Sequence, residues 1–227
     1  MNIASFLASV PLFKGLTPAQ YDDLTMIVTD QEYRKGRMIF AEGDPGAGFF
    51  LVMSGLVKIF KLSPDGKEQI LHLFGPGEPF AEAAVFIGSP YPAHAQALED
   101  SRVLFLPRPA FLALIRANPD LAMNMLAALS LRLKRFAHLI EALSLKEVPG
   151  RLAAHILALS AEQDESDQVR LAVSKNQLAA LLGTIPETLS RILGKLAKNG
   201  LIELNGPEIT ILDRDGLDDL ASGEKKL

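Results

Sequence analysis

The sequence predicts an α+β fold of three consecutive parts. A β-rich segment covers residues 1–118, one long helix covers 119–146, and a helical unit that ends in a β-hairpin covers 147–227. Three observations support this prediction: short apolar runs between glycine and proline turns, a long stretch without helix breakers, and two helical segments followed by a hairpin signal.

The first part has the pattern of an antiparallel β-domain. Residues 35–106 contain the β-branched or aromatic runs MIF, FFLVM, LVKIFKL, EQILHLF and RVLFL. Turn signals at residues 43–46, 54–55, 64–66 and 75–77 separate these runs. Many short strands at nearly regular spacing favour a double-stranded β-helix (jelly roll) or a barrel. A generic β-sandwich would give the same pattern, and spacing alone does not separate the two.

The second part reads as one long helix, because residues 120–145 contain neither glycine nor proline. Apolar residues spaced alternately by three and four form a coiled-coil seam along it. These are Leu126, Leu129, Leu133, Phe136, Ile140 and Leu143. A core helix that packs only on its own chain is the alternative. However, Met123, Leu131 and Leu139 make the flanks apolar too, which favours two partners: the β-domain and a parallel second copy.

The third part has the pattern of a winged helix-turn-helix. Ser174 can cap a first helix that ends at Gly183, and Pro186 suits the first position of a second helix. Gly200 ends that helix, and two β-like runs at 201–204 and 208–212 follow. Two helices joined by a tight turn and followed by a β-hairpin are typical of DNA-binding domains of this class.

The second helix of this pair carries a polar face suited to reading DNA. An arginine can fork onto guanine O6 and N7, a glutamate can accept from cytosine N4, and a serine can meet a base edge or a phosphate. The predicted DNA contacts are Lys175, Thr184, Glu187, Thr188, Ser190, Arg191 and Lys195. A solvated face with an internal Glu187–Arg191 ion pair is the alternative interpretation, because these residues lie one helical turn apart.

Charge supports the DNA interpretation only locally. The chain of 227 residues has 23 basic and 27 acidic residues, a net charge of −4, which excludes a uniformly basic coat. Residues 171–202 nevertheless contain four basic residues and one acidic residue, a net +3. Cysteine is absent, which excludes disulfides, cysteine nucleophiles and cysteine-ligated metal or iron–sulfur sites.

The chain resembles the cyclic-AMP receptor/fumarate-nitrate regulator (CRP/FNR) family of transcription factors over nearly its whole length. The resemblance is carried by three segments: KGRMIFAEGDPGAGFFLVMSGLVKIF, the long helix up to VPGRLAAHIL, and SKNQLAALLGTIPETLSRILGKLAKNGLI. It implies a cyclic-nucleotide-binding-like β-roll, a homodimer joined by the long helix, and an effector that repositions the DNA-binding domains. It also implies double-stranded DNA and RNA polymerase as partners, with activation as the expected mode.

The family's cyclic-AMP residues are only partly present. Glu82 matches the glutamate of the family's Gly-Glu-Leu, but residues 89–94 contain no arginine where the family's phosphate-binding one lies. The pair that contacts adenine corresponds to Phe136 and Ala137. The sequence therefore predicts an effector other than cyclic AMP, and the absence of cysteine excludes the family's iron–sulfur branch.

The remaining similarity is to the haem-binding, nitric-oxide-responsive branches, the dissimilatory nitrate respiration and hybrid-cluster-protein regulators. Haem is accordingly a predicted cofactor. The predicted effector pocket consists of Phe74, Phe80, Glu82, Phe86 and Phe136. The candidate axial ligands are His72, His94 and His138, and a structural role for each histidine stays open. A different small-molecule effector without haem is the alternative.

Glu187, Ser190 and Arg191 match the family's E-x-x-S-R pattern, which implies TTGA-type half-sites in an inverted repeat. An enzyme is not expected, because the sequence has no H-E-x-x-H, P-loop, strand-linked G-x-G-x-x-G or catalytic-triad pattern. There is no run of 18 or more apolar residues and no basic region before the short apolar N-terminal stretch. We therefore expect a cytoplasmic protein without a membrane partner.

Overall fold

The computed structural model describes residues 2–163 and 165–227. The chain forms two compact units, Met1–Lys134 and Arg135–Leu227. The long helix contributes residues to both units.

The first unit is a double-stranded β-roll, and the predicted fold class is confirmed. Its strands are β1 (Thr29–Tyr33), β2 (Met38–Phe40), β3 (Gly48–Ser54), β4 (Val57–Leu62), β5 (Glu68–Phe74), β6 (Pro79–Phe80), β7 (His94–Ala97) and β8 (Ser101–Pro107). They form two antiparallel four-stranded sheets, in the orders β1-β8-β3-β6 and β2-β7-β4-β5. This topology distinguishes the roll from a generic sandwich.

In the described part of this unit, four short α-helices accompany the roll: α1 (Ile3–Ser9), α2 (Pro18–Ile27), α3 (Ala83–Ile87) and α4 (Arg108–Ala117). Helices α1, α2 and α4 pack on a core that includes Phe49 of β3, through Phe6, Leu24 and Phe111 respectively. A second core fills the inside of the roll with aromatic rings, among them Phe50 and Phe80. The two cores hold the turn between β6 and α3 at a fixed place.

Helix α5 spans Asp120–Leu145, as the absence of helix breakers predicts. Leu121 and Met125 bury its first turns in the core of the first unit. Much of the rest of the helix is exposed in the single chain.

The second unit contains helices α6 (Val148–Glu162), α7 (Lys175–Leu181), α8 (Pro186–Lys198) and α9 (Arg214–Ser222). Strands β9 (Gln168–Arg170), β10 (Ile202–Asn205) and β11 (Glu208–Ile211) form an antiparallel sheet in the order β10-β11-β9. This arrangement is the predicted winged helix-turn-helix. Helix α9 was not predicted; Leu217 and Leu220 pack it on the core of this unit.

Residues at the helix ends form the tight turn between α7 and α8. Ser174 and Gln177 form a reciprocal capping box at the start of α7. Gly183 takes a left-handed φ of 65° after α7, and the Thr184 backbone N–H donates to the Ala179 carbonyl at 2.9 Å. Pro186 then begins α8 at a position that needs no backbone donor.

Among the described residues, no helix is long and apolar enough to cross a membrane.

Candidate functional sites

Helix α8 separates a buried face from an exposed polar face. Four apolar residues of α8 are buried in the core of the second unit: Leu189, Ile192, Leu193 and Leu196. Their spacing of three and four residues places the intervening polar side chains outside. The exposed polar residues of this helix are Glu187, Ser190, Arg191 and Lys195. Lys175, at the start of α7, is exposed as well. Thr184 and Thr188 are half-buried.

Arg191 is ordered by a neighbour on its own helix. Its Nη2 donates to Thr188 Oγ1 at 3.1 Å, one turn earlier. Within the described part of the chain, no ion pair joins Glu187 to Arg191, in contrast to the alternative interpretation of this face. The Glu187 carboxylate and four of the five arginine N–H groups therefore stay available to an external partner.

A buried polar centre of the first unit lies where β6 meets α3. Glu82 is only 4 % exposed and pairs with Arg132 Nη1 from helix α5. Arg132 Nη2 also donates to the Pro79 carbonyl at 2.6 Å, and its guanidinium lies 4.8 Å from the centroid of the Phe74 ring. Among the described residues, Glu82 Oε2 has no hydrogen-bond partner although it is buried. This carboxylate oxygen can accept a hydrogen bond from a ligand.

The backbone at this centre is strained. Ala81 has a φ of 65°, a left-handed conformation that costs an L-residue about 1–2 kcal/mol. It directly precedes Glu82 and so sets the direction in which that side chain points. On the far side of α3, Arg108 Nε donates to the Val85 carbonyl at 2.6 Å. Strain at a buried polar residue is a common property of ligand sites.

The predicted pocket phenylalanines are only partly brought together. Phe74 and Phe80 are buried with ring centroids 5.5 Å apart. Phe86, on α3, is 41 % exposed and does not belong to this aromatic core among the described residues. Phe136 is half-buried on α5 and belongs to the second unit.

The three candidate haem ligands are separated. The His72 ring packs edge-on against Phe74, with centroids 4.5 Å apart, and its Nε2 lies 4.0 Å from Glu78 Oε1. His94 pairs with Phe60 on β4, whereas its neighbour Ala95 pairs with Ile59. Because successive residues of a strand face opposite sides, and Ile59 also pairs with His72, His94 lies on the other face of this sheet.

His94 and His138 are already engaged elsewhere. His94 Nδ1 accepts from the Glu42 backbone N–H at 3.1 Å. His138 is an exposed residue of the second unit, and its Nδ1 lies 3.6 Å from Glu141 Oε2. Among the described residues, no group of three or more histidine, aspartate or glutamate side chains could hold a metal ion.

The predicted dimer seam is a partly exposed apolar stripe in the single chain. Its residues at seven-residue spacing, Leu126, Leu133 and Ile140, are 55 %, 70 % and 65 % exposed. Leu129, Phe136 and Leu143 are half-buried. A monomer rarely leaves such a stripe in water without a binding partner.

Arg132 was not predicted from the sequence. The sequence feature that could have identified Arg132 is its position seven residues after Met125, because this spacing places both residues on the buried face of α5. A charged residue on a buried face requires a partner, but sequence alone does not say which. Residues 89–94 supply no arginine or lysine to the predicted effector pocket, whereas Arg132 brings a cation to Glu82 from another element.

A β-roll with a buried polar centre and an exposed recognition helix together define a DNA-binding transcriptional regulator. Residues 30–118 match the cyclic nucleotide-binding domain, and residues 150–220 match the Crp-like helix-turn-helix domain. With these matches and the relatives described next, the chain belongs to the CRP/FNR family. Regulators of this family act on DNA as dimers.

Two curated relatives represent the two halves of the family name. The chain is 36 % identical to the cyclic AMP receptor protein of Thermus thermophilus over 214 residues, covering 94 % of this chain and 97 % of the relative. It is 32 % identical to the fumarate and nitrate reduction regulatory protein of Escherichia coli, covering 91 % and 84 %. Among solved structures, DNR from Pseudomonas aeruginosa is 37 % identical, with a TM-score of 0.50 and coverage of 95 % and 96 %.

Proposed function

We propose that this chain is a homodimeric regulator that reads TTGA-type inverted repeats through Glu187, Ser190 and Arg191. The observation that supports this most directly is the exposed polar face of α8, opposite its buried leucine face. The N-terminal residues of a recognition helix are the ones that reach base edges in the major groove. The net +3 of residues 171–202 attracts phosphates locally in an otherwise acidic unit.

A competition experiment tests the operator. A labelled duplex with two TTGA half-sites in inverted repeat, about one helical turn between centres, is titrated with the full chain. Scrambled duplex is the competitor. We expect the repeat to bind at least about a thousandfold more tightly than scrambled DNA at physiological salt. Equal affinities would contradict the proposal.

Dimerisation through α5 is the second part of the proposal. Burying the stripe at Leu126, Leu133 and Ile140 against a second copy would remove its apolar surface from water, which is favourable. Leu131 offers a matched control, because it is 63 % exposed on the same helix but lies off the seam. We expect Leu133→Glu to give monomers in analytical ultracentrifugation and Leu131→Glu to stay dimeric. Dissociation by both or by neither would contradict a specific seam.

The proposed effector mechanism is haem-mediated sensing of nitric oxide or redox state. Bound haem would supply an iron atom that takes nitric oxide as a ligand. Of the three candidate histidines, His72 fits best, because its ring packs against Phe74, and the Phe74 ring also contacts the Arg132 guanidinium, which can pair with a propionate. A bound porphyrin would lie beside His72 and outside the inner rings, because Phe40, Phe50, Phe80 and Tyr91 already pack with neighbouring centroids 4.0–5.5 Å apart.

Haemin titration of the full chain tests this mechanism. We expect a shifted Soret band with the unaltered protein and with His138→Ala, and its loss with His72→Ala. Nitric oxide should then change affinity for the TTGA repeat. No Soret shift in the unaltered chain, together with unchanged DNA binding under nitric oxide, would contradict haem sensing.

A second candidate is a small effector without haem, and the unpartnered Glu82 Oε2 favours it. Such an effector would donate a hydrogen bond to Glu82 and place a π-face or an anionic group against Arg132. A thermal-shift screen of hydroxyl-bearing anions tests it, with Glu82→Gln as the variant that should lose the response. We place either regulator in the cytoplasm, with RNA polymerase as partner and activation as the expected mode.

A further inference from the structure

Thr188 and Arg191 lie one turn apart on α8 and are joined by a hydrogen bond before any DNA is present. We propose that Thr188 is a positioning residue that holds the Arg191 guanidinium ready for guanine and thereby sets how strictly one base is read. This inference rests on the proposed role of Arg191 in operator reading. It gives Thr188 a role through Arg191 in place of a direct DNA contact.

The geometry supports an oriented guanidinium. Residues three apart face the same side of a helix, and Nη2 of Arg191 lies 3.1 Å from Thr188 Oγ1. Thr188 is half-buried and β-branched, so its hydroxyl has few available rotamers. Arg191 itself is exposed, so without this bond its side chain would be free to occupy many rotamers.

The bond leaves the recognition edge open. One N–H of Nη2 is used by Thr188, and a guanidinium has five N–H groups, so a two-donor fork remains for guanine O6 and N7. Glu187 does not compete for the guanidinium among the described residues, because no ion pair joins them.

Ordering the side chain in advance matters most for a two-pronged contact. Part of the cost of binding is the rotamer freedom that long side chains lose at the interface, and a side chain already held in place loses less. A fork onto guanine requires both donors at once, whereas a phosphate contact tolerates several rotamers. Loss of the Thr188 hydroxyl should therefore weaken binding to the guanine-containing site more than to a site with that guanine replaced.

Three variants of the full chain separate the possibilities. Thr188→Val removes the hydroxyl at nearly constant shape, and Thr188→Ser restores an acceptor. Thr25→Val is the matched control, because Thr25 is also a helical threonine whose hydroxyl bonds within its own helix, to the Tyr21 carbonyl at 2.8 Å in the first unit.

The first measurement needs no DNA. Relaxation of the ¹⁵N-labelled Arg191 Nε–Hε group, assigned with Arg191→Lys, reports the mobility of the side chain. We expect Thr188→Val to increase this mobility and Thr188→Ser to preserve the native value. Unchanged mobility in Thr188→Val would overturn the inference.

The second measurement is the ratio of affinities for the TTGA repeat and for the same repeat with adenine in place of the guanine. We expect Thr188→Val to reduce this ratio about two- to tenfold, the effect of one side chain that must be ordered on binding. Thr188→Ser and Thr25→Val should keep the ratio. Equal weakening on both duplexes would overturn the inference and make Thr188 a phosphate contact.

Arg191→Ala distinguishes failure of the inference from failure of the proposed function. If Arg191→Ala lowers the ratio but Thr188→Val does not, only the positioning role is wrong. If Arg191→Ala leaves the ratio unchanged, or the unaltered chain does not prefer the repeat, the reading of guanine by Arg191 is wrong and the positioning role falls with it.

Discussion

The reading face of α8 and the Glu82–Arg132 centre are built in opposite ways. The reading face comes from neighbouring residues of one helix and presents its charges to solvent. The Glu82–Arg132 centre joins residues 50 positions apart, and both partners are largely withdrawn from water. An exposed charge keeps its hydration, so it costs little folding free energy and can bind an external partner. A buried charge loses its hydration and must be paired within the fold.

An arginine therefore has different consequences in the two regions. Arg191 should matter for binding and hardly for stability, because solvent can replace its bond to Thr188. Arg132 should matter for stability first, because Glu82 cannot be solvated if its partner is removed.

Arg132→Ala should give the largest loss. It leaves a buried carboxylate without its cation, which typically costs about 3–5 kcal/mol of unfolding free energy. Urea unfolding followed by far-UV circular dichroism measures the loss. The paired replacement Glu82→Leu with Arg132→Met should recover most of it, since it removes both charges. A loss below about 1 kcal/mol for Arg132→Ala would mean that Glu82 reaches water.

Arg191→Ala should show the opposite pattern. We expect the free energy of unfolding to change by no more than about 0.5 kcal/mol, as for other surface substitutions. Affinity for the TTGA repeat should fall by about 1–3 kcal/mol, with relaxed selectivity at one base pair. Fluorescence anisotropy and urea unfolding of the same preparation measure both. A large stability loss would erase the contrast with Arg132.

Ala81→Gly should stabilise the first unit by up to about 1 kcal/mol, because glycine takes the left-handed conformation at no steric cost. Part of this gain is offset by the greater freedom of glycine in the unfolded chain. Ala113→Gly, at an exposed position in the middle of helix α4, is the control and should destabilise by roughly 0.5–1 kcal/mol. Calorimetric melting compares the two, and destabilisation by Ala81→Gly would show that Ala81 is not strained.

The smallest effect concerns His155 on helix α6. Burial lowers the pKa of this imidazole below its ordinary value of 6.5. The unfolded chain therefore binds the proton more readily than the folded chain. The free energy of unfolding keeps its full value above pH 6.5, falls as the pH drops below 6.5, and stops falling below the pKa of the folded state. Urea unfolding at pH 7.5 and 5.5 should show a smaller acid loss for His155→Gln. Equal losses would contradict a lowered pKa for this half-buried histidine.

Much of the fold could be predicted because its signals are local. The bounds of α5 follow from a stretch without helix breakers, and α7 and α8 follow from Ser174, Gly183 and Pro186. Helices α1, α2, α3, α4 and α9 were not predicted, because their short apolar patterns become decisive only when they pack on a core.

The candidate sites divide along the same line. The polar face of α8 is fixed by helical periodicity, so its composition was determined by the sequence alone. By itself the sequence also determined the spacing of the α5 seam and the absence of cysteine chemistry. Only the tertiary structure decided that Arg132 meets Glu82, that Phe86 lies outside the aromatic core, and that His72 and His94 face opposite sides of one sheet. The reason is physical: backbone periodicity fixes what neighbours in sequence share, whereas contacts between distant residues depend on how the sheets and helices pack.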